Sequence, residues 1–152
     1  MKKINIKFIK NKIQKKLHLP KYITPGSSAL DLRACIKHPI KIHKNQTLLI
    51  PTGIAIHISN PNITGIILPR SGLGHFHGII LGNSIGILDS DYQGEIKLSM
   101  WNKNKKTFTI KPNSRIAQIT FISIIRAKFN IVKSFKYKTK RNKQGFGHTG
   151  TI

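Results

Sequence analysis

Negative charge is what this sequence has least of. Its 152 residues include four Asp and Glu against 27 Lys and Arg, a formal net charge of +23. Cysteine is nearly absent too. A single Cys35 excludes an internal disulfide and fits a reducing compartment. With no partner for a thiol nucleophile near it in sequence, Cys35 reads as a small buried apolar residue. No apolar run has the length of a signal peptide core or a membrane span, so a soluble cytoplasmic protein is expected. No segment carries the length and period of a substantial amphipathic helix. A Walker A lysine pattern, an internal repeat and an interdomain linker are all missing. At this length one domain is the default, large enough to bury a core without metal or disulfide.

The positive charge is unevenly spread. Residues 1–21 hold eight basic groups, residues 126–143 another eight, and the long centre the other eleven with all four acids. Basic ends suit an anionic partner, either nucleic acid or a phosphorylated small molecule. They equally suit compositional drift, because the chain is rich in Ile, Lys and Asn throughout.

What is present in abundance is short β-branched runs cut by Gly, Pro and Asn. Ile4, Ile6 and Phe8 alternate with polar residues. Ala29-Leu30-Asp31-Leu32-Arg33-Ala34-Cys35 reads as a short strand. Further strands are expected over residues 47–51, 53–58, 63–69, 79–81, 108–110, 116–125 and 127–132. One short helical turn is expected after Pro69, with Ser71 as its cap. Residues 133–152 lack apolar periodicity. Many short strands with Gly and Pro turns predict an all-β fold, a distorted jelly roll or β-clip barrel with at most one short helix.

Three of the four acids, Asp89, Asp91 and Glu95, fall within residues 82–95. The segment reads as a β-hairpin. Ile85, Ile87 and Leu88 lead into a polar turn, and Ile96, Leu98 and Met100 alternate on the return to Trp101. It suits a functional turn and a solvated turn alike, since Asp and Gly are ordinary turn residues. Pro69-Arg70-Ser71-Gly72-Leu73-Gly74 places a guanidinium, a hydroxyl and backbone amides together, which suits a phosphate cradle or a plain turn. In Arg115-Ile116-Ala117-Gln118, strict alternation puts Arg115 and Ala117 on one face and Ile116 and Gln118 on the other. Gln118 there is either an inward-facing site residue or an edge residue. His75 and His77 lack a third metal ligand at useful spacing. The tail Gly145-Phe146-Gly147-His148-Thr149-Gly150 matches G-x-G-x-x-G, but no helix follows it, so a dinucleotide site is rejected. It reads as a flexible end or as a mobile flap.

Taken in order, five blocks resemble the five motifs of the homotrimeric dUTPase (dUTP diphosphatase) family, bacterial type. They are residues 29–34, 69–74, 82–95, 115–118 and 141–150. The departures are Ala29 where glycine is usual, Lys97 where an apolar residue is usual, and Asn142-Lys143-Gln144 in place of a more glycine-rich stretch.

The resemblance implies a jelly-roll core over residues 1–132 and a flexible arm over 133–152 that closes on a neighbouring subunit's site. It implies a trimer with active sites between subunits, hydrolysing dUTP to dUMP and diphosphate with Mg²⁺. That reaction supplies dUMP for dTMP synthesis and keeps uracil out of DNA. Asp89 would be the general base for a water attacking the α-phosphorus. Asn83, with backbone at Ile87, Leu88 and Lys97, would read the uracil edge and exclude thymine and cytosine. Tyr92 would pack under the deoxyribose and reject a 2′-hydroxyl. Arg70, Ser71, Gly72 and Gln118 would hold phosphates from another subunit. Asp31 would act near the metal through water, the ion being held chiefly by the triphosphate. Phe146 would stack on uracil and Arg141 would reach the γ-phosphate.

Two other functions compete. dCTP deaminases share the fold but add a glutamate acting on the base and lack the hairpin tyrosine, whereas Tyr92 and Asn83 are both present here. A basic nucleic-acid-binding module would interleave basic and exposed aromatic residues on one sheet face, which leaves the acidic cluster unexplained.

Overall fold

The computed structural model describes residues 2–9 and 18–145, which form eleven strands and one short helix. Most strands lie where β-branched runs predict them: β1 (Asn5–Phe8), β2 (Leu30–Arg33), β4 (Thr47–Pro51), β5 (Ile54–His57), β6 (Ile63–Pro69), β7 (Ile79–Leu81), β8 (Gly86–Leu88), β9 (Lys97–Asn102), β10 (Phe108–Ile110) and β11 (Arg115–Ser123). Strand β3 (Ile40–Ile42) was not expected. Its three residues carry too little pattern to stand out, and it is held by antiparallel pairing with β10. The strand expected over residues 127–132 does not form: among the described residues no regular element follows Ser123, and residues 124–145 are exposed throughout. Among the described residues, no helix is long and apolar enough to cross a membrane.

All pairings are antiparallel. A four-stranded sheet runs β2-β11-β6-β8 and a three-stranded one β4-β9-β7, with two-stranded ladders β1-β5 and β3-β10. Their inner faces share one core, in which Leu32, Ile42, Ile50, Ile79, Leu98, Met100, Ile116 and Ile119 are almost wholly removed from water. Each such aliphatic side chain contributes roughly 1.5–3 kcal/mol by burial. Asn102 is also fully buried. Its amide donates to the carbonyls of Ile42 and Lys106, both at 2.9 Å, and its oxygen accepts from the Asn104 amide at 2.8 Å. A buried polar group is tolerated when its bonds are satisfied in this way.

Three local features set up the site. First, the helix α1 (Ser71–His77) begins at Ser71, so Ser71 is not its cap. Arg70 holds the cap position with extended backbone (φ −78°, ψ 134°) and no side-chain cap bond. Following directly on β6, it keeps the strand conformation one residue further than expected. Second, β11 shifts register between Arg115 and Ala117 against β2. This bulge buries both Ile116 and Ala117 and moves Gln118 off the face of Ile116, directly opposite Asp31. The strict alternation expected for this strand is therefore broken.

Third, the expected hairpin over residues 82–95 opens. Strand β8 pairs with β6, whereas β9 pairs with β4 and β7, and the two arms do not pair with each other. Just before β9 the return arm is held to the junction of β4 and β5 by backbone bonds from Ile96 N to Ile54 O (2.9 Å) and from Thr52 N to Ile96 O (3.1 Å). The Glu95 carboxylate reinforces this by accepting from Gly53 N at 2.9 Å.

Candidate active site

Separating the two arms creates a cleft of about 500 Å³. On one wall is β8, the last strand of its sheet, with one edge unpaired. On the other is the start of β9. Lys97 and Leu98 face β4 across the ladder, but β7 reaches only Met100 and the residues after it. Backbone donors and acceptors on these open edges need partners, and a flat ligand with its own donors and acceptors can supply them. Asn83, Ile87, Leu88, Asp89, Tyr92 and Lys97 all line this cleft.

Two glycines permit the packing around it. A Cβ at Gly82 would lie 2.8 Å from Ser99 Oγ and 2.9 Å from Thr47 Cγ2, so the turn entering β8 reaches β9 only without a side chain. A Cβ at Gly94 would lie 2.6 Å from Tyr92 Cζ. Glycine there lets the Tyr92 ring fold across the turn, where its hydroxyl donates to the Glu95 carbonyl at 3.1 Å. Asp89 follows Leu88, whose carbonyl accepts from the buried Thr64 hydroxyl at 2.9 Å. That bond fixes the backbone from which the Asp89 carboxylate projects. The Asp89 side chain is exposed and has no hydrogen-bonding or ionic partner among the described residues.

The scarce acids therefore divide by role. Glu95 ties the turn to Gly53. Asp31 is held by two arginines: Arg70 Nε lies 2.8 Å from Oδ1 and Arg115 Nη1 lies 3.3 Å from Oδ2. Asp89 and Asp91 are unpaired among the described residues, and of these two only Asp89 lines the Asn83 cleft.

A second cluster forms where β2, β11 and the end of β6 lie side by side. It contains Asp31, Arg70, Arg115 and Gln118, with Ser71 and Gly72 opening the helix beside it. The orphan amides of that first helical turn, the Arg70 guanidinium and the Gln118 amide make a surface suited to phosphate oxygens. None of Arg70, Ser71, Gly72 and Gln118 lines the Asn83 cleft. Sequence reasoning gave Arg115 no role. The bulge that turns it toward Asp31 leaves no mark in residue order.

A model of the dUTPase family matches residues 15–150. The chain belongs to the dUTPase family. A deoxyuridine 5'-triphosphate nucleotidohydrolase of Baumannia cicadellinicola is 55% identical over 152 residues, all of both chains. Among solved dUTPases, that of Staphylococcus bacteriophage 80alpha with dUPNHPP has a TM-score of 0.81 at 17% identity, covering 99% of each chain. A mutant dUTPase of phage phi11 of S. aureus, described with a structural Mg(II) ion, has a TM-score of 0.78 at 14% identity, covering 90% of this chain and all of that one. These likenesses agree with the jelly-roll fold expected from the sequence.

Of the dUTPase tail residues, Arg141 sits in a local exposed turn, its Nε donating to the Gln144 carbonyl at 3.1 Å, and lines neither the cleft nor the second cluster. Phe146 lies outside the described residues. His57, Ser59, Thr64, Asp91 and Arg126 line another cleft of about 510 Å³ on the far side of Asp89, so this carboxylate stands on a ridge between two depressions.

Proposed function

We propose that this protein hydrolyses dUTP to dUMP and diphosphate, with Asp89 as general base. The observation that carries the reading is the meeting of Asn83 and Asp89 on one cleft between two unpaired strand edges. The uracil enters as a missing rung of the ladder. Its edge pairs with backbone at Ile87, Leu88 and Lys97 and with the Asn83 amide, which offers both a donor and an acceptor. A 5-methyl group has no room at such close pairing, and the amino group of cytosine leaves donors facing donors. The Tyr92 ring, steadied across Gly94, packs under the deoxyribose and clashes with a 2′-hydroxyl.

Asp89 orients a water and accepts its proton as the oxygen bonds to the α-phosphorus. The bond from that phosphorus to the bridging oxygen breaks and diphosphate departs. Arg70, Ser71, Gly72 and Gln118 hold the phosphates and offset their charge. Because this cluster does not share the Asn83 cleft in one chain, the complete site draws the two clusters from different subunits of a homotrimer. Exposed apolar side chains after β11, among them Ile125, Phe129, Ile131 and Phe135, support association, since such surface is normally covered by a partner. The tail from residue 133 onward acts as an arm over a neighbour's site, with Arg141 directed to the γ-phosphate and Phe146 to the base.

Mg²⁺ retains most of its water and binds phosphate readily, so it needs few protein ligands. Asp31 fits such an ion through water, because each of its oxygens has one arginine partner and a further lone pair. When bound, the ion spreads the charge of the triphosphate.

The test is to incubate the protein with dUTP, dCTP and a single-stranded oligonucleotide in parallel. Diphosphate from dUTP alone is the expected result. Ammonia from dCTP would instead identify a deaminase, and a mobility shift without turnover a nucleic-acid-binding module.

A further inference from the structure

Asp31 sits low in the surface, with 16% of its side chain exposed, beneath two guanidinium groups. Each oxygen meets one arginine, at 2.8 and 3.3 Å. Arg70 takes Oδ1 through Nε alone, and Arg115 takes Oδ2 through Nη1. Arg70 thus has both terminal amino groups without a partner among the described residues. A carboxylate with both oxygens free normally draws an arginine into a two-point fork. In this geometry Arg115 already lies on the second oxygen, so the other arm of that fork would have to share Oδ2 with a guanidinium of like charge.

We propose that Arg115 is a positioning residue. By occupying Asp31 Oδ2 it keeps Arg70 to a single ion-pair contact through Nε and leaves its terminal donors available to a phosphate. Without Arg115, the Arg70 guanidinium would rotate onto both oxygens of Asp31 and withdraw the donors an anion needs. The arrangement follows from the fold. The β11 bulge turns Arg115 toward β2, Asp31 faces Gln118 across the ladder, and Arg70 lies one residue beyond the β6 strand that flanks β11 on its other side. Arg115 is 43% exposed, so it can be changed without opening the core.

This inference rests on the reading that Arg70 holds phosphate, and the experiment separates the two. The probe is inorganic tripolyphosphate without added metal, its binding measured by calorimetry. It has no base for the Asn83 cleft and leaves the reach of Asp31 toward a cation out of play. Arg70→Met checks the underlying reading by losing affinity. Arg115→Met keeps the aliphatic stem, removes the donors, and is expected to weaken binding about tenfold, the scale of one charge-assisted hydrogen bond. Arg115→Ala serves as a second variant, and thermal melting confirms that each is folded.

The deciding measurement is Asp31→Asn in both backgrounds. An asparagine cannot recruit Arg70 by charge, so it releases Arg70 in the Arg115→Met chain but only loosens its anchor in the unaltered chain. The gain in affinity from Asp31→Asn should be larger in the Arg115→Met background, by about tenfold, within the range of coupled neighbours. An equal gain in both backgrounds would mean that Arg115 contributes only as a positive charge, and the proposal would fall. If Arg70→Met leaves tripolyphosphate binding unchanged, the phosphate role of Arg70 and the positioning role of Arg115 fall together. Normal dUTP turnover by the unaltered chain would still leave the hydrolase reading standing.

Discussion

A carboxylate in this protein is scarce enough that its partner defines its work. Glu95 and Asp31 are engaged by the protein itself, whereas Asp89 projects beside an open strand edge with no partner among the described residues. Asp89→Asn keeps the shape and removes the carboxylate proposed as the base. It should lower turnover by a factor of about 10²–10⁴, the usual worth of a general base, while dUTP binding measured by calorimetry is retained. Full activity in that variant would remove Asp89 from the mechanism. Gly94 is as constrained by space as Asp89 is by chemistry. A methyl group there collides with the Tyr92 ring, which lies 2.6 Å away at Cζ. Gly94→Ala should displace the ring, lower kcat/KM for dUTP and raise the relative use of UTP. Unchanged discrimination between the two nucleotides would separate Tyr92 from sugar selection.

At the scale of the element, the informative event is a hairpin that does not close. Period-two alternation over Ile96, Leu98 and Met100 correctly marked the buried face of β9. It did not reveal that the two arms join different sheets, because alternation specifies which side chains point inward and not which strand lies alongside. The same limit applies to β11, where one bulge exchanged the faces of Ala117 and Gln118 and brought Arg115 to Asp31. It applies again to residues 124–145, where apolar residues are plentiful but form no strand and stay exposed. Deleting residues 140–152 removes no buried residue among those described. The truncated chain should retain its melting temperature and its oligomeric state by sedimentation, yet turn over dUTP much more slowly. Loss of folding would show that the tail belongs to the core, and an unchanged rate would end its role as a closing arm.

For the whole molecule, charge is the dominant strain. A formal charge of +23 on 152 residues opposes compaction, and association multiplies that repulsion. Screening shortens its range to about 10 Å at 0.1 M salt. The melting temperature should therefore rise from low to moderate salt, and rise further with tripolyphosphate, a polyvalent anion expected to bind the folded form. A melting temperature indifferent to both would indicate that the basic residues are too widely spaced to matter. The core itself is apolar and continuous across the sheets, with Asn102 as its satisfied polar anchor, so the electrostatic cost falls on the surface.

The sequence alone determined the fold class, nearly all of the strands and the family, because these depend on local patterning and on residue types in a fixed order. It also marked residues 82–95 by their share of the acids, with a functional turn and a solvated turn both open. Tertiary structure decided which open edges face each other, that Asn83 and Asp89 share a cleft while Arg70 and Gln118 lie elsewhere, and that Arg115 shares Asp31 with Arg70. Those relations arise from strand pairing between residues far apart in the chain, and from a bulge whose single shift of register leaves no trace in residue order.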